Sequence, residues 1–419
     1  MSARYSVVRR SLIVVILVIL GQAFNYLLIL LANRSLDAAA FGRFYAAWAT
    51  INILATPGTV LSLVATRYFA EAFRSGAEPG IRPALVRVAR SLGPWLLAGV
   101  LATEIVFFAA GRHITDSWAL ALLLPVTAAS FFGVEIVRAV LPAMLRGTLF
   151  GMVFFAWCAT QCAFAIGALL LVHSVWSIYA GIFVANILAL FAIITLVLHL
   201  SRHATQMPVD PSDPARFDLS EVLPFCSAYV GFVLFNNADI LIAYFFFTGS
   251  QLGAYSAAAV LPKAIVMVTQ PIAQVVLPLL VATEGQTALV RRAVWRAISV
   301  TAVLGSLGAA FLSAASPLVC SGKFGIRYCD PKLMTTLAVT AVLLALVRVA
   351  ITVDLGQRLY WLAQVPFAGC LVFAAVQFFT HPSPDKLAMS YLITSLGTIT
   401  TFGLLSFGRM RFKSMAQAQ

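Results

Sequence analysis

Twelve apolar stretches, each close to or above the roughly 20 residues that cross a bilayer as a helix, follow one another along almost the whole chain. They fall at about 11–32, 43–66, 91–111, 115–137, 149–171, 174–200, 222–247, 251–280, 297–319, 333–353, 357–379 and 387–408. This arrangement predicts an all-α, polytopic membrane protein, because within hydrocarbon every backbone N–H and C=O must be satisfied inside its own segment. Uninterrupted apolar runs exclude a transmembrane barrel, whose strands alternate over about ten residues. Composition agrees, with 61% hydrophobic and 10% charged residues against about 25% charged in soluble domains. The polar intervals 67–90 and 201–221 are connectors, too short for a soluble domain.

Lys and Arg number 28 against 15 Asp and Glu, a formal net charge of +13. Most of these cations share one face: Arg4, Arg9 and Arg10, the connectors after the even-numbered spans, with Arg348 counted among them, and Arg409, Arg411 and Lys413, with Lys263 left inside a span. The positive-inside rule then predicts cytoplasmic termini. Topology accounts for the basic balance without a nucleic-acid partner, while the cations nearest the bilayer favour anionic lipid headgroups. Arg9-Arg10 precede an apolar run ending at Asn33-Arg34 with no small-residue cleavage site, so the first segment reads as a retained span.

A short pattern recurs about half a chain later. Phe24-Asn25 and Phe41-Gly42 are spaced as Phe235-Asn236 and Leu252-Gly253 are, and a tyrosine trails each glycine, Tyr45 and Tyr255. Two halves in the same order predict duplicated six-helix lobes related by an axis along the membrane normal, an arrangement typical of transporters. The expected organisation is a first lobe over 1–202, a Pro-rich cytoplasmic linker over 203–221 and a second lobe over 222–419. Cys158 and Cys162 lie in an apolar span with no His or carboxylate beside them, so no metal site is expected. Cys320 and Cys329 share an external loop, where a disulfide is permitted.

Polar residues inside the spans are the candidate site, since an unpaired charge in hydrocarbon costs at least about 2.5 kcal/mol. Asp239 and Lys263 both approach the midplane, at roughly 13 and 18 Å from the outer side, and they can pair. Asn236 and Asn237 precede Asp239, while Gln270 and Gln274 follow Lys263 on the eighth span. That span also carries Pro262, Pro271 and Pro278, which remove backbone donors. Asn25 with Gln22 in the first span, Glu104 in the third and Arg67 closing the second complete the candidates. Glu135 with Arg138 and Asp354 with Arg358 have spacings that allow pairing on one helical face, and read as structural.

Asn236-Asn237-Ala238-Asp239-Ile240-Leu241-Ile242, then Gly253-Ala254-Tyr255-Ser256-Ala257-Ala258, then Val276-Leu277-Pro278, resembles the start of the second half of the polysaccharide-biosynthesis (O-antigen) flippases. These belong to the superfamily of multidrug, oligosaccharidyl-lipid and polysaccharide exporters. Leu36 to Tyr45 resembles the corresponding segment of their first half. The resemblance implies a V-shaped, two-lobed bundle with a central cavity in the bacterial inner membrane. It implies translocation of polyprenyl-diphosphate-linked oligosaccharide by alternating access, without bond chemistry or a cofactor. Implied partners are the lipid-linked oligosaccharide, membrane lipids, and the polymerase and other polysaccharide-assembly proteins. Two rival functions are carried beside it. A multidrug or organic-cation antiporter shares the fold and calls for acidic cavity residues such as Asp239 and Glu104. A membrane glycan polymerase would need an external acidic residue such as Asp37, but no sizeable external loop accompanies it.

Overall fold

The computed structural model describes residues 2–74, 86, 90, 118–143, 147–202, 219–282, 287–321, 326–356, 359 and 361–416. These form helices α1 (Ser2–Ser35), α2 (Ala38–Arg74), α3 (Trp118–Arg138), α4 (Gly147–Val172), α5 (Val175–Arg202), α6 (Leu219–Phe246), α7 (Gly249–Ala282), α8 (Thr287–Val319), α9 (Pro331–Gly356), α10 (Val365–Thr380) and α11 (Pro384–Ala416). A helical turn at Val140–Ala143 and a 3-10 turn at Leu362–Gln364 join them, and the described residues include no strand. Among the described residues, ten helices are long and apolar enough to cross a membrane. The second expected span is α2, 37 residues long with Pro57 inside it but not among those ten. The third, at 91–111, lies outside the described residues, as does the expected linker up to Asp218. The protein is thus an all-α, polytopic membrane protein.

Local chemistry sets several helix ends. Asp37 Oδ1 accepts the Ala40 N–H at 2.7 Å, so the carboxylate weighed for a polymerase is the N-terminal cap of α2. Asp330 opens α9 in the same way, accepting the Lys332 N–H at 2.9 Å. One boundary differs from the sequence reading. The ninth span was expected from 297, yet α8 starts at Thr287, because Val290, Val294, Ala297 and Ile298 face inward onto a cluster with Ile272 and Val349. Arg291, Arg292 and Arg296 lie exposed on the other side of the same turns and mask this apolar face in a sequence average.

The chain divides into two compact units: residues 1–35 with 50–226, and residues 36–49 with 227–419. In the first unit α1 packs on α4, α4 on α5 and α3 on α5. Trp157, Phe154, Val134 and Val197 are among its central side chains. Arg138 pairs with Glu135 and stacks 4.6 Å from the Phe150 ring and 4.8 Å from the Phe154 ring, fastening the end of α3 to α4. In the second unit α9 is central, packing on α7, α8 and α11. Cys320 and Cys329 are joined in a disulfide with their Cα atoms 4.9 Å apart, beside Met334 of α9.

Each unit, taken by itself, repeats one contact. A Cβ on Gly21 of α1 would lie 2.9 Å from the Phe154 ring of α4, and a Cβ on Gly231 of α6 would lie 3.0 Å from Phe367 of α10. In each unit a glycine, on α1 or α6, therefore admits a phenylalanine from another helix, α4 or α10.

Candidate functional site

Helix α6 lines one side of the site because its polar residues recur at helical spacing: Asn236 and Asp239 are three apart and share a face. Lys263 reaches them from α7. Its ammonium donates to the Asn236 carbonyl at 2.8 Å, to Asp239 Oδ1 at 3.0 Å and to Asn237 Oδ1 at 3.4 Å, which uses all three of its donors. Tyr255, two turns earlier on α7, donates its hydroxyl to the other carboxylate oxygen, Asp239 Oδ2, at 3.5 Å. Asp239 is fully buried, while the Lys263 side chain keeps 12% exposure. The pair carries no net charge and each member has polar partners, which is what a buried ion pair needs to be tolerated. One atom at the site is unsatisfied: Asn236 Oδ1 is buried with no hydrogen-bond partner.

The repeated tyrosines and glycines converge here. Tyr45, from the start of α2, places its ring 6.0 Å from Lys263 Nζ, at the edge of cation–π range. Behind it the helix starts approach closely. A Cβ on Gly42 would fall 2.8 Å from the Gly253 nitrogen, and one on Gly253 would fall 2.0 Å from the Ala38 carbonyl oxygen. The contact is reciprocal, as in an isologous interface, and only glycine permits it. From α11, the Tyr391 hydroxyl donates to the Phe235 carbonyl at 2.7 Å. Consecutive carbonyls of α6, Phe235 and Asn236, are therefore each claimed by a side chain of another helix.

The structure thus brings Asn236, Asn237, Asp239 and Lys263 together in the second unit. Gln270 is half-buried farther along α7. Asn25 sits in the first unit, donating to Gln22 Oε1 at 3.0 Å and lying 3.9 Å from the Cys158 sulfur. The side chains of Arg67 and Gln274 are outside the described residues, as are Glu104 and Arg358.

Two features escaped the sequence reading. Arg348 was counted with the connector charges but lies inside α9, about 10 Å before the Leu355 end of its span. Its guanidinium carbon stands 5.6 Å from the Phe232 ring of α6, and its Nε has no hydrogen-bond partner. The available signal was the apolar run that resumes at Val349–Val353 after it. The second is a buried network in the first unit. Asn186 Oδ1 accepts from Trp157 Nε1 at 2.8 Å and from the Gln161 amide, and Asn186 Nδ2 donates to Ser130 Oγ at 2.7 Å. It ties α3, α4 and α5 together through side chains separated by up to 56 positions, a link that local pattern does not reveal.

Replacing Asn186 with Ala should leave the Trp157 and Gln161 donors buried and unpaired, at a cost of about 2–4 kcal/mol. Thermal unfolding in detergent should then begin on the order of 5 °C lower. An unchanged melting temperature would show that the network contributes nothing net.

No known protein family and no curated protein matches the chain in sequence. Solved structures do match in fold. The inward-facing conformation of a multidrug resistance MATE family transporter of the MOP superfamily is similar over 95% of this chain and 96% of its own, with a TM-score of 0.73 and 14% identity. The outward-facing conformation of a transporter of the same description gives 98% and 97% coverage, a TM-score of 0.65 and 14% identity. A MATE structure in complex with MaL6 gives 97% of both chains, a TM-score of 0.68 and 15% identity. The chain has the fold of these MATE transporters along nearly its whole length.

Proposed function

We propose that this chain is a membrane transporter that moves an amphiphilic substrate by alternating access and makes or breaks no bond. The observation that carries this reading is the fold shared over 95–98% of the chain with MATE structures described in both inward- and outward-facing conformations. For the cargo, the same comparisons favour a small amphiphilic compound of the multidrug type, because two of those structures are named as multidrug resistance transporters.

Charge favours a second cargo. In the described spans Asp239 is neutralised by Lys263 and Glu135 by Arg138, while α9 carries one cation, Arg348, and one buried carboxylate, Asp354. An interior without net negative charge suits an anionic or neutral amphiphile better than an organic cation. Together with the flippase-like segment at Asn236–Ile242, this favours a polyprenyl-diphosphate-linked oligosaccharide, flipped across the inner membrane of a bacterium with both termini in the cytoplasm.

Deleting the protein separates the two. As a multidrug transporter, its loss should raise sensitivity to lipophilic compounds and leave surface glycan intact. As a flippase, its loss should hold lipid-linked units on the cytoplasmic face and deplete the surface or secreted polysaccharide. Unpolymerised units on the outer face would instead identify a polymerase and overturn the transporter reading.

A further inference from the structure

The candidate span of α8, Val290–Val319, has 30 residues and is therefore about 45 Å long. That exceeds the roughly 30 Å hydrocarbon core by about 15 Å, and an ordinary tilt of about 20° removes little of the excess. Arginine at the bilayer centre costs about 2.5–3.5 kcal/mol on insertion scales. The helix is therefore seated with its first ten residues among the headgroups. Those residues include Arg291, Arg292, Trp295 and Arg296, all exposed, and the three arginines make no ion pair with any described residue. At 100° per residue the four side chains fall within an arc of about 140°. The opposite arc is the packed one, with Val290, Val294 and Ile298 against the second unit's core. Below Arg296, at the edge of the arginine arc, Val300, Val303, Leu307 and Phe311 are each about half exposed or more. The helix thus presents an apolar strip of acyl-chain length that starts beside Arg296, with Arg291, Arg292 and an indole farther round, and none of the three guanidinium groups is paired with a described residue.

We propose that this end of α8 is a binding site for an anionic diacyl phospholipid. Arg291, Arg292 and Arg296 hold the phosphate, Trp295 packs at the glycerol level, and the acyl chains lie along the strip that starts at Val300. Guanidinium forks suit phosphate oxygens, which accept two parallel N–H bonds from one arginine. The site lies on the outer face of one helix, so it does not depend on which cargo the protein carries.

Native mass spectrometry of the full chain tests this, with phosphatidylglycerol and phosphatidylcholine of identical acyl chains as probes. Wild type should bind phosphatidylglycerol more than about 20-fold more tightly. Charge near the surface is worth about fivefold in affinity per arginine, so Arg291→Gln/Arg292→Gln/Arg296→Gln should weaken phosphatidylglycerol by more than 20-fold and leave phosphatidylcholine unchanged. The triple Lys variant, which keeps the charge, should retain most of the preference and controls for folding. Equal affinity of wild type for the two lipids, or of wild type and the Gln variant for phosphatidylglycerol, overturns the proposal.

Discussion

Replacing Lys263 with Ala will leave the Asp239 carboxylate buried beside Asn237 and Tyr255 with no cation, and should destabilise the protein by about 3–5 kcal/mol. Membrane levels should fall accordingly. The double variant Asp239→Leu/Lys263→Met removes both charges and should recover most of that loss, because an apolar pair of similar volume avoids the desolvation cost. Transport then separates the possible roles of the pair. If the double variant regains abundance but not transport, the pair takes part in moving the cargo. If both return together, the pair only fastens α6 to α7. A Lys263→Ala protein as stable as wild type would mean that the carboxylate is not enclosed as described.

Gly253→Ala should be nearly as damaging. The added methyl would meet the Ala38 carbonyl oxygen at 2.0 Å, a backbone atom that cannot swing aside. Separating α2 from α7 enough to admit it should cost on the order of 1–3 kcal/mol or more, and it would also withdraw Tyr45 from Lys263. Gly167, Gly397 and Gly403 supply the opposite sign. A Cβ at these positions meets nothing within 4 Å, so Ala should stabilise each helix by up to about 1 kcal/mol. Thermal unfolding of the four variants measures this directly. A Gly253→Ala protein that melts with the other three would exclude the close approach.

The helical membrane fold was legible because hydrocarbon imposes a length and a polarity that any reader of the chain can measure. Asp239 and Lys263 stood out for the same reason: charges at that depth are expensive, and the sequence offers each a partner on the neighbouring span. Arg348 was not legible in this way, since a charge about 10 Å from a helix end resembles a connector residue until Phe232 is seen beside it. Tyr45 and Tyr255 were visible as members of a repeat, but their meeting at one ion pair depends on how helix starts pack. The Asn186 network had no local signal at all, because its members come from three helices. Averaging also concealed the first turns of α8, where arginines and inward-facing valines alternate.

Residues 36–49 pack with the second unit although the chain around them belongs to the first. Phe41, Phe44, Tyr45 and Trp48 in this stretch are all buried. The two halves of the chain are therefore not independent modules. A fragment ending at residue 202 would carry this stretch away from the unit it packs with. Each fragment alone would meet the quality control that destroys incomplete membrane proteins, whereas co-expressed fragments could complete each other. This shared stretch is a built-in requirement that both halves be made together, and it limits how freely a cell could exchange one half for that of a relative with a different cargo.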